Sequence, residues 1–258
     1  MEAETETNLP SLRDLLFGAL LAVATLTLWP ILDERSQGTA AERSRAMVFF
    51  PIVGFILGVV LAIFDSAARL VLEPAAGSLA TLILAAGLSL GLANRGIADT
   101  VEVLRRGMRP ASTGLTRIGP LGAIASIVAF GFEVWCLSQI TDHAGRAGAL
   151  VMAMMLSRWA IVPIGYGLKP LEHWGLGIPY AGGIAFREFA ISSVVALGLT
   201  MGLYQNVGLV VIVALALTIL AARLILSARM KGASGYMLAG GCALVEVVTF
   251  AVLVALRV

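Results

Sequence analysis

An all-α bundle crossing a lipid bilayer about eight times is the fold class that this sequence predicts, on three observations. Of 258 residues, 59% are hydrophobic and only 13% are charged, about half the charged share of a soluble domain. Apolar runs long enough to span a bilayer recur along the whole chain. Lys and Arg fall mostly on alternate connections between those runs. The mean hydropathy of +0.94 agrees. Residues 1–258 read as a single membrane-embedded domain with a polar tail at 1–14. That tail, MEAETETNLPSLRD, is acidic where a secretory leader would be basic, so no cleaved targeting peptide is expected.

The spans follow in order. The first runs from Leu15 to Leu32 and ends at Pro30 and the charged DER. The second, Ala46 to Phe64, holds Pro51, which starts or kinks a helix, and Gly54 with Gly58, a GxxxG-like face for close helix contact, within the chain or between chains. The third, Ala75 to Ala93, is free of charge. Ile118 to Ser138 and Ala147 to Leu168 are the fourth and fifth. Phe189 to Tyr204 is a short sixth, and only Gln205 and Asn206 separate it from a seventh, Val207 to Leu226; merging these two would leave seven spans. Tyr236 to Leu256 is the eighth.

Counting Lys and Arg on alternate sides of this arrangement gives thirteen against four, with Arg158 inside a span. The bias places the odd-numbered loops in the cytoplasm and both termini outside. The loops with GLGIPYAGG and KGASGY then share a compartment with the most charged stretch of the chain, Asn94 to Gly122, read as a loop. It carries Asp99 and Glu102 among Arg95, Arg105, Arg106, Arg109 and Arg117. Two acids suited to a hard cation, set among five guanidinium groups suited to phosphate oxygens, form a phosphate-handling surface or simply a basic cytoplasmic loop.

Three ionisable residues lie within spans, where such groups face the bundle interior. Arg158 and Glu246 fall at similar depths and could pair: either they form a packing strut, or Arg158 points into a cytoplasmic cavity and binds a phosphate with Glu246 orienting it. Glu133 is expected nearer the outer face. His143 reads as solvated in an outer loop, and His173 as a loop imidazole able to act as a base. Cys136 and Cys242 sit in apolar runs, with no disulfide or zinc spacing. There is no G-x-S-x-G, Walker lysine or HExxH motif.

Six stretches, taken in order, resemble cobalamin synthase, the adenosylcobinamide-GDP ribazoletransferase family. FFPIVGFILG at Phe49 to Gly58 is similar to a family FPLxGxxxG. RGIADT at Arg95 to Thr100 resembles LDGLADTxDG, and RIGPLG at Arg117 to Gly122 resembles DSRxGxxG. SRWA at Ser157 to Ala160 and GLG at Gly175 to Gly177 also match. GASGYMLAG at Gly232 to Gly240, followed by Glu246, resembles GGxTGDxLGAxxExxE. The departures concern acids. Arg95, Leu115 and Tyr236 stand where the family has Asp, Ala93 where it has His, and Ala243 where it has Glu.

The resemblance implies a Mg²⁺-dependent transferase of cobalamin biosynthesis in a bacterial-type inner membrane. It would join adenosylcobinamide-GDP to α-ribazole or its phosphate and release GMP. Its small-molecule partners are a corrinoid and a nucleotide, with no nucleic acid. Carried over residue by residue, Asp99, Glu102 and Arg117 would be catalytic, with Asp99 and Glu102 on the metal. Arg105, Arg109, Arg158, Ser157, Ser234 and Gly235 would bind phosphate, with Glu246 in support. With so few acids left, one ion or none is expected. Two alternatives stay open: a non-catalytic relative that binds a corrinoid, a nucleotide or an active paralogue, or forms a homo-oligomer, and a transporter. If the alignment is right, positions 95, 115 and 236 must lie together near Asp99.

Overall fold

The computed structural model describes residues 12–27, 39–106, 118–169, 184–230 and 232–257. Nine α-helices make up these residues: α1 Leu12–Leu26, α2 Ala40–Ala46, α3 Phe50–Ala68, α4 Pro74–Leu88, α5 Leu92–Arg106, α6 Pro120–Gln139, α7 His143–Gly165, α8 Phe186–Met230 and α9 Gly235–Ala255. A 3-10 turn, Met47–Phe49, joins α2 to α3. Five of the helical segments are long and apolar enough to cross a membrane, and α4 with α5, bent by 80°, would make a sixth. The chain is thus an all-α polytopic membrane bundle.

The core is built around α7, whose side chains are buried continuously from Ala149 to Gly165. A helix apolar on every side must lie inside the bundle. Its closest neighbour is α3. Buried Phe50, Val53, Gly54, Leu57, Gly58 and Leu61 recur on one face of α3, while Ile52, Ile56 and Ile63 point outward, the face for lipid. A Cβ on Gly54 would stand 2.5 Å from the Met154 carbonyl oxygen, and one on Gly58 2.5 Å from the Val151 Cα. The GxxxG-like face is therefore spent within the chain, against the backbone of α7. Backbone cannot yield as a flexible side chain can, so Gly54→Val should cost about 1–3 kcal/mol. The check is a lowered melting temperature in detergent, with Ile56→Val on the outer face as the unaffected control.

The expected sixth and seventh spans are the two arms of α8. Gln205 breaks the helix with φ 43° and ψ −115°. Phe189, on the first arm, stacks on Tyr166 with ring centroids 5.0 Å apart, and Arg223, on the second arm, donates to the Tyr166 carbonyl at 2.6 Å. At the turn, the Tyr204 hydroxyl reaches the Gly145 carbonyl at 3.4 Å, at the opposite end of α7. The arms are thus antiparallel and flank α7 along its length. Arg223 also donates to the Pro163 and Ile164 carbonyls. It is not a free loop charge as the span count had it, but a cap on the negative end of α7.

Two further features depart from the sequence reading. The third span is shorter than expected: α4 stops at Leu88, and Leu90 (φ 54°) and Gly91 (φ 62°) turn the chain into α5. The first half of the presumed loop from Asn94 is therefore helix. Its five apolar positions, Ile97, Ala98, Val101, Val103 and Leu104, are matched by five charges, which hides the helical face from a hydropathy count. Arg146, expected in a solvated loop, is 1% exposed. Its Nε and Nη2 donate to the two Asp65 oxygens at 2.6 and 2.8 Å, Nη2 also to Ser78 Oγ at 2.8 Å, and Nη1 to the Leu137 carbonyl. This one side chain ties α7 to α3, α4 and α6.

Candidate functional site

α5 lies between α6 and α9, and glycines set how close it comes. Gly96 faces the backbone of Ala239 and Gly240, while Gly122 of α6 meets the backbone of Ala98, with no room for a Cβ at any of these contacts. The stretch RGIADT and the start of α9 are thereby pressed together.

Across that contact, the Arg95 guanidinium sits 5.2 Å from the centroid of the Tyr236 ring, a cation–π distance. Arg95 Nε is 3.7 Å from Asp99 Oδ2, one helical turn on. Asp99 is 8% exposed, and its Oδ2, like Thr100 Oγ1, is buried without a hydrogen-bond partner among the described residues. Arg95, Asp99 and Tyr236 form the cluster that the alignment requires. Leu115 lies outside the described residues, as do Arg109, Arg117 and His173.

The second acid serves a different neighbour. Glu102 Oε1 accepts from the Gly122 amide at 3.3 Å, at the first turn of α6, where the positive end of a helix favours a carboxylate. Its Oε2 is 3.8 Å from Arg105 Nε, and the Arg105 side chain is 47% exposed. Ser234 Oγ accepts from the Met237 amide at 3.4 Å as the N-cap of α9, and Gly235 begins that helix, buried. Ser234 therefore holds the helix start beside Tyr236 instead of facing solvent.

This donor set limits what metal it could hold. No group of three His, Cys, Asp or Glu side chains converges among the described residues. Asp99 offers a buried oxygen without a hydrogen bond, but its immediate neighbour is a fixed cation. Mg²⁺ is commonly held by one or two carboxylates with substrate phosphates completing the shell. One ion arriving with a diphosphate fits Asp99; a protein-built pair of ions does not.

Deeper in the bundle, the expected pair is formed. Arg158 Nη1 donates to Glu246 Oε2 at 2.8 Å and to Ser157 Oγ at 2.7 Å, with Arg158 4% and Glu246 5% exposed. Glu133, expected nearer the outer face, instead lines the same small cavity as Arg158, Glu246, Ala93 and Asn94. Counting from span ends misjudged it, because helices that tilt and start at different heights do not share a depth scale. Arg158 is committed to Glu246 and faces a second carboxylate across the cavity. The geometry favours the strut over a phosphate ligand.

The three groups form a line along α5: the interior pair beside Ala93 and Asn94, then Arg95, Asp99 and Tyr236, then Glu102 and Arg105. The ends of α7, α8 and α9 meet on this side, where the Ala233 amide donates to the Lys169 carbonyl at 2.9 Å. The loop with GLG, Gly175 to Gly177, lies outside the described residues.

Comparison with known proteins points the same way. The chain matches the family model for cobalamin-5-phosphate synthase over residues 18–256. It is 31% identical over 169 residues to the adenosylcobinamide-GDP ribazoletransferase of Thiobacillus denitrificans, a match covering 64% of this chain and 67% of the relative. It is also 31% identical over 189 residues to the protein of that name from Syntrophobacter fumaroxidans, covering 71% and 74%. No solved structure matches. Since the family match runs over nearly the whole length, through α5 and α9 alike, the chain belongs to the cobalamin-5-phosphate synthase family.

Proposed function

We propose that this protein is a ribazoletransferase of cobalamin biosynthesis in a bacterial-type inner membrane, with the α5 and α9 surface on the cytoplasmic side. It joins adenosylcobinamide-GDP to α-ribazole or its phosphate and releases GMP. The names of the relatives support the reaction. The observation that carries it on this chain is the packing of RGIADT against the start of α9, which sets Asp99, Arg95 and Tyr236 side by side.

In the reaction, a ribazole hydroxyl oxygen bonds to the corrinoid-linked phosphorus. The bond from that phosphorus to GMP breaks, GMP leaves with the electron pair, and the hydroxyl proton is released. Asp99 would hold Mg²⁺, which when bound would neutralise charge on the diphosphate. Arg95 and Arg105 hold phosphate oxygens as charge moves onto the leaving GMP; Arg109 and Arg117 are assigned the same task from sequence. Glu102 anchors α5 to α6 and keeps Asp99 in register. The buried contact of α5 with α6 and α9 keeps water off one side of Asp99.

The experiment is GMP release by the purified protein in lipid, given adenosylcobinamide-GDP, α-ribazole and Mg²⁺, beside a relative with the full acid set. Magnesium-dependent release is expected. The Arg95–Asp99 contact at 3.7 Å favours one other reading: a relative whose fixed cation has replaced the metal, and which binds corrinoid or nucleotide, or an active paralogue, without turnover. Absence of release beside an active control, with adenosylcobinamide-GDP still bound, would establish that reading and end the first.

A further inference from the structure

Behind the site, where α4 bends into α5, a partly open cavity of about 20 Å³ lies between the helices. That volume holds one water or one small ion and excludes a phosphate. With both of its carboxylates ionised, its charges do not balance. Glu246 is paired with Arg158, whereas Glu133, 6% exposed, lines the cavity and makes no hydrogen bond or ion pair with any described residue. One guanidinium thus faces two carboxylates in the interior of a membrane protein, where an uncompensated charge is costly.

The other walls also favour a positive charge. α4 ends here, and its last turn, with Ala85 and Ala86, lines the cavity, so the negative end of that helix faces it. Ser89 and Gly91 belong to the bend between the two helices, and irregular backbone at membrane depth persists where it lines a cavity, often beside a bound ion. Ser89 Oγ gives its proton to the Ala85 carbonyl at 2.7 Å, which leaves its lone pairs free for an ion. Asn94, whose side-chain amide carries an oxygen, also lines the cavity.

We propose that this cavity binds one monovalent cation of sodium size, held by Glu133 and the neutral oxygens of Ser89 and Asn94 beside the Arg158–Glu246 pair. A single positive charge balances the site, and a divalent ion would overshoot it. The cation locks the α4–α5 bend, and with it the position of α5, against α6, α7 and α9.

The test uses the full chain in phosphatidylcholine nanodiscs, with ²²Na⁺ binding and melting temperatures measured in NaCl against choline chloride at constant ionic strength. One bound sodium per chain is expected. The melting temperature should rise by about 3 °C for each tenfold increase in sodium beyond half-saturation. Glu133→Gln, which removes the surplus charge and keeps the shape, should lose both responses and melt in choline chloride no lower than the wild type. Asn94→Ala, which keeps every charge, should weaken sodium binding several-fold. A wild type that binds no sodium and whose melting follows pH would mean that a proton neutralises Glu133 beside Glu246 and Arg158, and would overturn the proposal. Sodium binding that survives in Glu133→Gln would overturn it equally.

Discussion

Asp99→Asn should lower magnesium-dependent GMP release about 10²-fold or more, with the folded protein and its melting temperature little changed. Asparagine keeps the size of the side chain and loses the charge. The carboxylate is 8% exposed; among the described residues its close charged contact is Arg95 at 3.7 Å, and its buried Oδ2 has no hydrogen bond to lose. The structural cost of the change is therefore small. A metal that stabilises developing phosphate charge is worth several kcal/mol, and each 1.36 kcal/mol is tenfold in rate. A variant with wild-type turnover would remove Asp99 from the reaction.

Arg95→Ala separates two roles for the cation beside Asp99. If Arg95 clamps a substrate phosphate, KM for adenosylcobinamide-GDP rises about tenfold while kcat holds, the signature of lost uniform binding. In either case the magnesium concentration needed for half-maximal rate should fall, since a like charge near the ion is gone. If Arg95 instead keeps the metal out, the rate itself rises. Titrating magnesium at fixed substrate, then substrate at saturating magnesium, distinguishes these outcomes.

The sequence was most readable where one residue type has one physical use. Uninterrupted apolar runs located α3, α6, α7, α8 and α9, the helices long and apolar enough to cross a membrane, though eight spans were expected, and the polar pair Gln205–Asn206 marked the turn inside α8. Gly54 and Gly58 announced a close helix contact, though only the structure shows that its partner is α7 of the same chain. Arg158 and Glu246 could be paired because charges buried in a bundle require partners. The ordered resemblance of RGIADT and GASGY required Arg95 and Tyr236 to meet near Asp99, and they do. What could not be read depends on long-range geometry. α5 carries so many charges that its helical face vanished into an apparent loop, and its burial comes from α6 and α9, not from its own hydropathy. Glu133 shares the Arg158 cavity because α6 packs against α4 and α9, whose residues also line it. Asp65 and Arg146 sit at the edges of apolar runs, where charges are ordinarily solvated, and nothing local tells that these two are buried.

The Asp65–Arg146 network should produce the largest stability effect. Arg146→Ala leaves Asp65, 3% exposed, as a buried carboxylate with one hydroxyl partner, Thr81 at 2.9 Å. Breaking a buried pair from one side costs about 3–5 kcal/mol, and the melting temperature in detergent should fall by ~10 °C. Removing both partners should cost far less. Ser78 and Thr81 also donate to the Pro74 and Gly77 carbonyls of their own helix at 2.7 and 2.9 Å, so their hydroxyls stay satisfied without Asp65. The Leu137 carbonyl alone is left without its guanidinium donor. The double variant Asp65→Leu, Arg146→Met should therefore recover most of the loss, because a well-packed apolar pair replaces a buried ion pair at little net cost. The melting temperatures of the wild type, Asp65→Leu, Arg146→Met and the double variant form the cycle. Single-variant losses that simply add in the double variant would show that the two side chains act separately, against the 2.6 Å contact between them.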